Sequence, residues 1–463
     1  MSTPTSSHTA RETDTALGGA SARLAAAAHR RDLHARFAPV FARIAAESAT
    51  REAERTLPFD QVDWLRDAGF LAVQVPVEFG GLGASSVEFF ELLVLLAEAD
   101  SNLPQLLRAH FTTVESWLVR EPGERRAFWL RQIAGGAVFG NATHERSAAT
   151  VGTYQTTLSR ENGRARLDGT KHYSTGSIYA DWILVTATDA ETGEQVSVTV
   201  AADAAGVDRR DDWDGFGQRL TGSGTTVFTN VTIDPEHIDV AHAATPSHIT
   251  GFLELVLLAS IAGIGRAALR DARDFVASRT RVYSQGVGTS AREDPLVQQV
   301  IGQISGLVFA AESAVLAAAA EVGEASDLAL FEAASAADSA RELPVDSGEN
   351  HHGEISGEPS GTPTAAHTAE STRAIRAAET AAIRAQLQVP DLVLRATTAL
   401  FEVGGASATA RERNLDRHWR NARVLSSHNP VIYQARALGD DLLNGDGLLF
   451  TWATGEGTPA ATA

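Results

Sequence analysis

The chain has 463 residues, 44% hydrophobic and 21% charged, a globular balance that argues against a fibrous or wholly disordered protein and allows about three domains or one large multilayer unit. A formal charge of −19 and the absence of cysteine argue against broad wrapping of nucleic acid or an anionic membrane, and remove disulfide frameworks, thiolate metal sites and cysteine nucleophiles. A cysteine-free chain suits a reducing compartment, and the N-terminus lacks a basic segment followed by an apolar run, so the expected address is cytoplasmic.

Residues 1–20, rich in Ser, Thr, Ala and Gly, read as a mobile tail. Residues 21–135 carry helical signals. In "SSVEFFELLVLLAEAD", Ser85 and Glu88 stand at capping-box spacing before apolar residues at helical intervals. "PQLLRAHFTTVESWLV" places Pro104 for a first helical turn, and "ERRAFWLRQIAGG" stops on glycines. Between them "VPVEFGGLGASS" is a glycine-rich connector. From 136 to 242 the pattern changes to short β-branched runs punctuated by turn signals at Asn162-Gly163 and Thr192-Gly193, a small β domain. Residues 243–463 return to helical periodicity, interrupted at about 342–370 by a polar Gly, Ser, Pro and Glu interval that reads as a loop or disordered insertion between two helices. The longest apolar stretch, "FLELVLLASIAGIGRAAL", contains Glu254 and is short for a membrane span; it reads as a buried helix.

The densest polar chemistry comes late. "RERNLDRHWRNAR" gathers Arg411, Arg413, Arg417, Arg420 and Arg423 against Glu412 and Asp416, which fits an anion site, a subunit interface, or a solvated helix face with Asp416 and Arg420 paired four apart. "SSHNP" follows, with Pro430 biasing Asn429 away from helix and so marking a loop or helix start around His428.

The order helices, β, helices, together with "VFGNATHE", "GTKHYSTGSIYADWI", "DDWDGFGQRLTGSGT" and above all "NLDRHWRNARVLSSHNPVIYQARALGDDLLNG", resembles the acyl-CoA dehydrogenase superfamily, in its dibenzothiophene monooxygenase-like, flavin-dependent branch. The resemblance implies a mainly α fold with a β domain: an N-terminal helical domain, a central β-barrel and a C-terminal four-helix bundle. It also implies a monooxygenase that takes FMN as FMNH2 from a separate NAD(P)H:flavin reductase, reacts it with O2 at C4a, and transfers one oxygen atom to sulfur, nitrogen or an aromatic carbon of a small, mostly apolar substrate, with organosulfur compounds among the candidates. The same likeness implies a homotetramer, with no nucleic acid or membrane partner.

By the same resemblance, His428 stands where dehydrogenases carry their catalytic glutamate, suited to donating a proton to, or hydrogen-bonding, a flavin peroxide; Ser427 joins it at the flavin. Asn141 and Thr143 would contact the flavin ring and peroxide, or simply make a turn. Thr175 would bond near flavin N5, with Tyr173 replacing the family's tryptophan; an exposed strand edge is the plain reading. Trp213 is placed beside the flavin, or is a core aromatic. Gly404 and Gly405 match a glycine pair that admits a neighbouring subunit's backbone, and Arg281, with Arg279 as second choice, matches the phosphate-binding arginine. His110 matches an active-site histidine or is structural. The competing reading is an FAD-dependent acyl-CoA dehydrogenase with Glu254 as base. The histidines of the polar interval, His351, His352 and His367, show no ordered ligand spacing, and nothing requires a metal.

Overall fold

The structure, a computed structural model, describes residues 7–146, 154–161, 163–240, 246–280, 282, 284–342, 368–445 and 448. Seven helices come first: α1 (Ser7–Ala46), α2 (Ser48–Glu54), α3 (Phe59–Ala68), α4 (Ser86–Ala99), α5 (Asn102–Leu106), α6 (Arg108–Leu118) and α7 (Glu124–Ala134). Helix α1 begins at Ser7, inside the segment expected as a tail, because no proline interrupts residues 7–38 and the helix anchored further along extends back through them. Helix α4 starts where the sequence said: Ser85 Oγ accepts from the Glu88 amide and the Ser85 amide donates to Glu88 Oε2 at 2.9 Å. The helix expected from Pro104 onward is broken at Leu107, which leaves α5 and α6 as separate pieces.

Eight strands follow: β1 (Phe139–Ala142), β2 (Thr157–Glu161), β3 (Arg164–Lys171), β4 (Trp182–Asp189), β5 (Gln195–Ala201), β6 (Val207–Arg209), β7 (Thr226–Ile233) and β8 (Ile238–Val240). They form one mixed sheet in the order β6-β7-β3-β2-β4-β5-β8, with β1 added in parallel along β4. Alternate residues of β4 and β5, including Ile183, Val185, Val196 and Val198, are buried, as expected of a sheet with one packed face. The sheet leaves Gly193 at φ 75° in the turn between β4 and β5.

The last part holds α8 (Ile249–Ser278), α9 (Pro295–Glu342), α10 (Ala369–Ala399), α11 (Asp416–Ser426) and α12 (Val431–Asn444). Nearly all of the polar interval expected between helices lies outside the described residues, between the end of α9 and the start of α10. Pro430 caps α12, so the "SSHNP" stretch is the break between α11 and α12. Helix α8 is the buried helix expected from its composition: its most apolar stretch is 83% buried. It packs against α4 closely enough that a Cβ on Gly263 would lie 2.5 Å from the Val94 carbonyl oxygen. Phe252 of α8 stacks on Phe89 of α4 at 5.7 Å between centroids. One hydrophobic core thus runs from the first helices through the sheet into α8, α9 and α10.

Candidate active site

On the sheet side, the turn after β3 carries Tyr173, Ser174, Thr175 and Gly176. Tyr173 adopts a left-handed backbone (φ 57°) and is 43% exposed. Its ring stands edge-on to Trp213 at 6.2 Å, and the Trp213 indole donates to the Gln218 carbonyl. Thr175 Oγ1 and Ser223 Oγ are hydrogen-bonded at 2.8 Å, and Ser223 Oγ bonds Thr221 Oγ1 at 2.8 Å, giving a line of three hydroxyls. The Asn141 amide of β1 donates to the Thr175 carbonyl, and Thr143 Oγ1 donates to Asn141 Oδ1 at 2.7 Å. Asn141, Thr143, Thr175, Tyr173 and Trp213 are therefore brought to one strip. Among them the buried Ser174 Oγ has no hydrogen-bond partner among the described residues, an uncompensated polar atom that asks for one. Neutral donors and acceptors beside exposed aromatic faces fit the polar edge and flat ring of a flavin.

The strip is held from beneath by a charge pair. Lys171, fully buried, donates to Glu145 at 2.7 Å and to the Thr143 carbonyl at 3.1 Å. Burial pushes the Glu145 carboxyl up, but Lys171 and the bonds from Gln155 and Thr156 outweigh it and hold it at about 2.

On the helical side, four side chains close a ring. Arg108 of α6 donates through Nη1 to His428 Nε2 at 2.8 Å and through Nη2 to Glu254 Oε1 at 2.8 Å. His428 Nδ1 bonds Asn429 Oδ1 at 3.1 Å, and Asn429 Nδ2 donates to Glu254 Oε2 at 2.7 Å. Gln386 of α10 adds a donor to the same carboxylate oxygen. Arg108 and Glu254 are buried, whereas His428 remains accessible as a residue. The His428 imidazole is held below its ordinary value, first by lost hydration at its ring nitrogens and then by the Arg108 guanidinium. His144, next to Thr143, joins this side to the strip: burial, then Arg108 and Lys171, keep its imidazole below the ordinary value, and it acts in turn on His428.

The ring removes Glu254 from the part of a free base. Its carboxylate accepts from Arg108, Gln386 and Asn429, so a substrate proton would have to displace an ion pair. Glu379, on the same face of α10 as Gln386, lies next in line. It is buried with Oε2 unpartnered, and burial plus the nearby Glu254 raise its carboxyl to about 7.

Other expected residues are not brought to this place. His110 is fully buried: Nε2 bonds the Leu71 carbonyl at 2.8 Å and Nδ1 accepts from the Phe139 amide. Both nitrogens are committed to backbone, which is the structural alternative for this histidine. Ser427 Oγ is tied to Arg423 on the exposed end of α11. Arg279 caps α8 and donates to the Val403 carbonyl beside Gly404, whose missing Cβ would meet Ala408 at 2.2 Å; Gly405 follows at φ 53°. These three sit at the far end of α8 from Glu254, about 37 Å along a helix rising 1.5 Å per residue, beyond the reach of one mononucleotide. Arg281 lies outside the described residues.

The arginine-rich segment is mostly consumed internally. Arg417 is buried against Asp271, Arg420 pairs with Asp416 and Glu52, and Arg413 lies over the Phe275 ring. The expected Asp416–Arg420 pair is present; a free anion site is not formed by these three. The residues that sequence reading missed include Ser174, Ser223 and Thr221 on the strip and, above all, Arg108. It lies in the quoted helix two positions before His110, and its only signal was a cation in an otherwise apolar run.

Three segments match the acyl-CoA dehydrogenase family: its N-terminal domain over 28–137, its middle domain over 141–231 and its C-terminal domain over 332–432. Dibenzothiophene monooxygenase of Mycolicibacterium goodii is 29% identical over 82% of this chain and 86% of its own. The "probable FMNH2-dependent monooxygenase SfnC" of Pseudomonas putida is 27% identical over 89% and 93%. Among solved structures, TdsC of Paenibacillus sp. A11-2 with FMN and indole superposes with a TM-score of 0.73 at 26% identity, covering 89% of this chain and 98% of that one. The methanesulfinate monooxygenase MsuC of Pseudomonas fluorescens gives 0.72 at 25% identity, over 89% and 97%.

Proposed function

The chain belongs to the acyl-CoA dehydrogenase superfamily, as a flavin-dependent monooxygenase with FMN as its cofactor, and from that premise we propose a two-component enzyme. A separate NAD(P)H:flavin reductase supplies FMNH2 by diffusion, and the substrate is a small, mostly apolar organosulfur compound. Bound as FMNH2, the cofactor supplies the two electrons that divide O2 between the oxygenated product and water.

The residues of this chain do the rest. Tyr173 and Trp213 flank the flavin ring. The hydroxyl line of Thr175, Ser223 and Thr221, the Ser174 hydroxyl and the Asn141 side-chain carboxamide bond its polar edge. Thr143 orients Asn141. His428 stands across from that strip, fixed by Arg108 and Asn429. Arg279 and Arg281, with Gly404 and Gly405, hold the phosphate of a neighbouring subunit's flavin in a homotetramer. The separation along α8 supports that sharing, because one chain cannot offer both ends of the site to the same flavin.

One observation carries the choice over an acyl-CoA dehydrogenase: where proton abstraction would need a free carboxylate, Glu254 is locked in the four-residue ring. The test supplies FMNH2 through a reductase under 18O2 with dibenzothiophene and methanesulfinate as trial substrates. One labelled oxygen per product is expected, and anaerobic acyl-CoA should leave the oxidised flavin yellow. Bleaching by an acyl-CoA, with no label transferred to any sulfur substrate, would return the dehydrogenase reading.

A further inference from the structure

The ring around Arg108 fixes more than a position. A guanidinium has hydrogens to donate and no lone pair to accept with, so the 2.8 Å contact makes His428 Nε2 the acceptor. The opposite side of the ring reaches the same result independently. A carboxylate only accepts, so Asn429 must present its Nδ2 to Glu254 and therefore its Oδ1 to the histidine. An amide oxygen only accepts, so His428 Nδ1 must carry the hydrogen. Two separate chains of donor and acceptor thus meet in one tautomer, and neither leaves a place for a second proton on the imidazole.

We propose that Arg108 is a positioning residue that locks His428 neutral with its hydrogen on Nδ1, so that both ring nitrogens are committed, Nε2 to Arg108 and Nδ1 to Asn429, and this histidine serves the oxygenation as a fixed neutral wall of the site and not as an acid or base. Glu254 keeps the guanidinium in place and cancels its charge. The inference rests on the monooxygenase reading for its use, but the protonation state it asserts belongs to the chain alone.

Few other groups act on the ring. His144, after β1, is itself held below its ordinary value by burial, then by Arg108 and Lys171. Glu379, on α10, acts on Glu254. When it ionises it adds negative charge behind Glu254, which tightens the hold on Arg108. Neither contact offers a hydrogen acceptor to Nε2, so the tautomer is set by Arg108 and Asn429.

The test is carbethoxylation of the full-length, flavin-free protein with diethyl pyrocarbonate, read at the His428 peptide by mass spectrometry between pH 5.5 and 7.5. The reagent attacks only unprotonated imidazole, so a histidine of ordinary pKa reacts about tenfold faster at the upper pH. His428 of the wild type is expected to react slowly and at equal rates across the range. In an Arg108→Gln/Glu254→Gln double variant, which removes the pair without stranding a buried charge, the rate should rise and the tenfold dependence should appear. A tenfold dependence already in the wild type overturns the proposal, whatever the fate of the variant. A folded double variant as flat as the wild type overturns the role given to Arg108. Either result leaves the 18O experiment and the monooxygenase reading standing.

Discussion

Glu379 and the buried histidines push stability in opposite directions with pH. The Glu379 carboxyl is raised in the fold to about 7, so the native state keeps a proton that the unfolded chain gives up near 4.5. Its favourable contribution is present below 4.5 and is lost as pH rises through 7. Glu379→Gln should therefore raise the unfolding free energy read from urea titration at pH 8 by about 1–3 kcal/mol and change it little at pH 4.5. His110 and His418 are held at about 4, both first by burial. Their stabilisation is full above 6.5 and is lost as pH falls toward 4. Between pH 7 and 5 the protein should lose about 2 kcal/mol for each, and His110→Gln, which can still donate to the Leu71 carbonyl, should blunt that loss in the same titration. At this scale the sequence shows which residues are unusual but not their state. His428 was picked from its motif, but the proton it lacks is decided by Arg108 and Glu254, which stand 146 residues apart in the chain. His110 was picked with equal reason, and two backbone groups occupy it.

Among elements, the turn that carries Thr175 depends on Gly176. Its φ is +78°, and a Cβ would lie 2.1 Å from the Leu106 carbonyl oxygen, at the end of α5 just before the break at Leu107. Gly176→Ala should cost about 2–4 kcal/mol through backbone strain and collision, and should weaken FMN binding by shifting Thr175 from Ser223; a denaturation curve and a flavin titration on one preparation read both. Local signals foretold the local features. The capping box at Ser85 and Glu88, the glycine stop after α7 and the start of α12 at Pro430 all follow from neighbours within a few residues. The break between α5 and α6 was not legible, because it lies where a turn some 70 residues later in the chain packs. Strand order was hidden for the same reason: β1 pairs in parallel with β4 across three intervening elements.

For the whole molecule, the two ends of α8 hold different portions of the expected cofactor site. Helix α9 leaves an apolar face uncovered: its most apolar stretch is only 22% buried in the single chain, with Phe309 and Phe331 exposed. If flavin sites form between subunits, inactive Arg279→Ala and Trp213→Ala proteins, unfolded and refolded together, should recover about a quarter of the wild-type sites by random pairing. Mixing without recovery would confine Arg279 to its own chain. The helix–β–helix order was legible from composition and turn signals, and the shared site came only from resemblance, since no single chain records what its copy contributes. The packing of α4 on α8 carries a further consequence, for synthesis. Phe89, Phe90 and Val94 find their cover in Phe252 and Gly263, which leave the ribosome 162 to 169 residues later. At roughly 5–20 residues per second that is about ten to thirty seconds, during which the nascent first domain presents a bare aromatic face to solvent, and a chaperone that holds nascent chains should be found on it until α8 emerges.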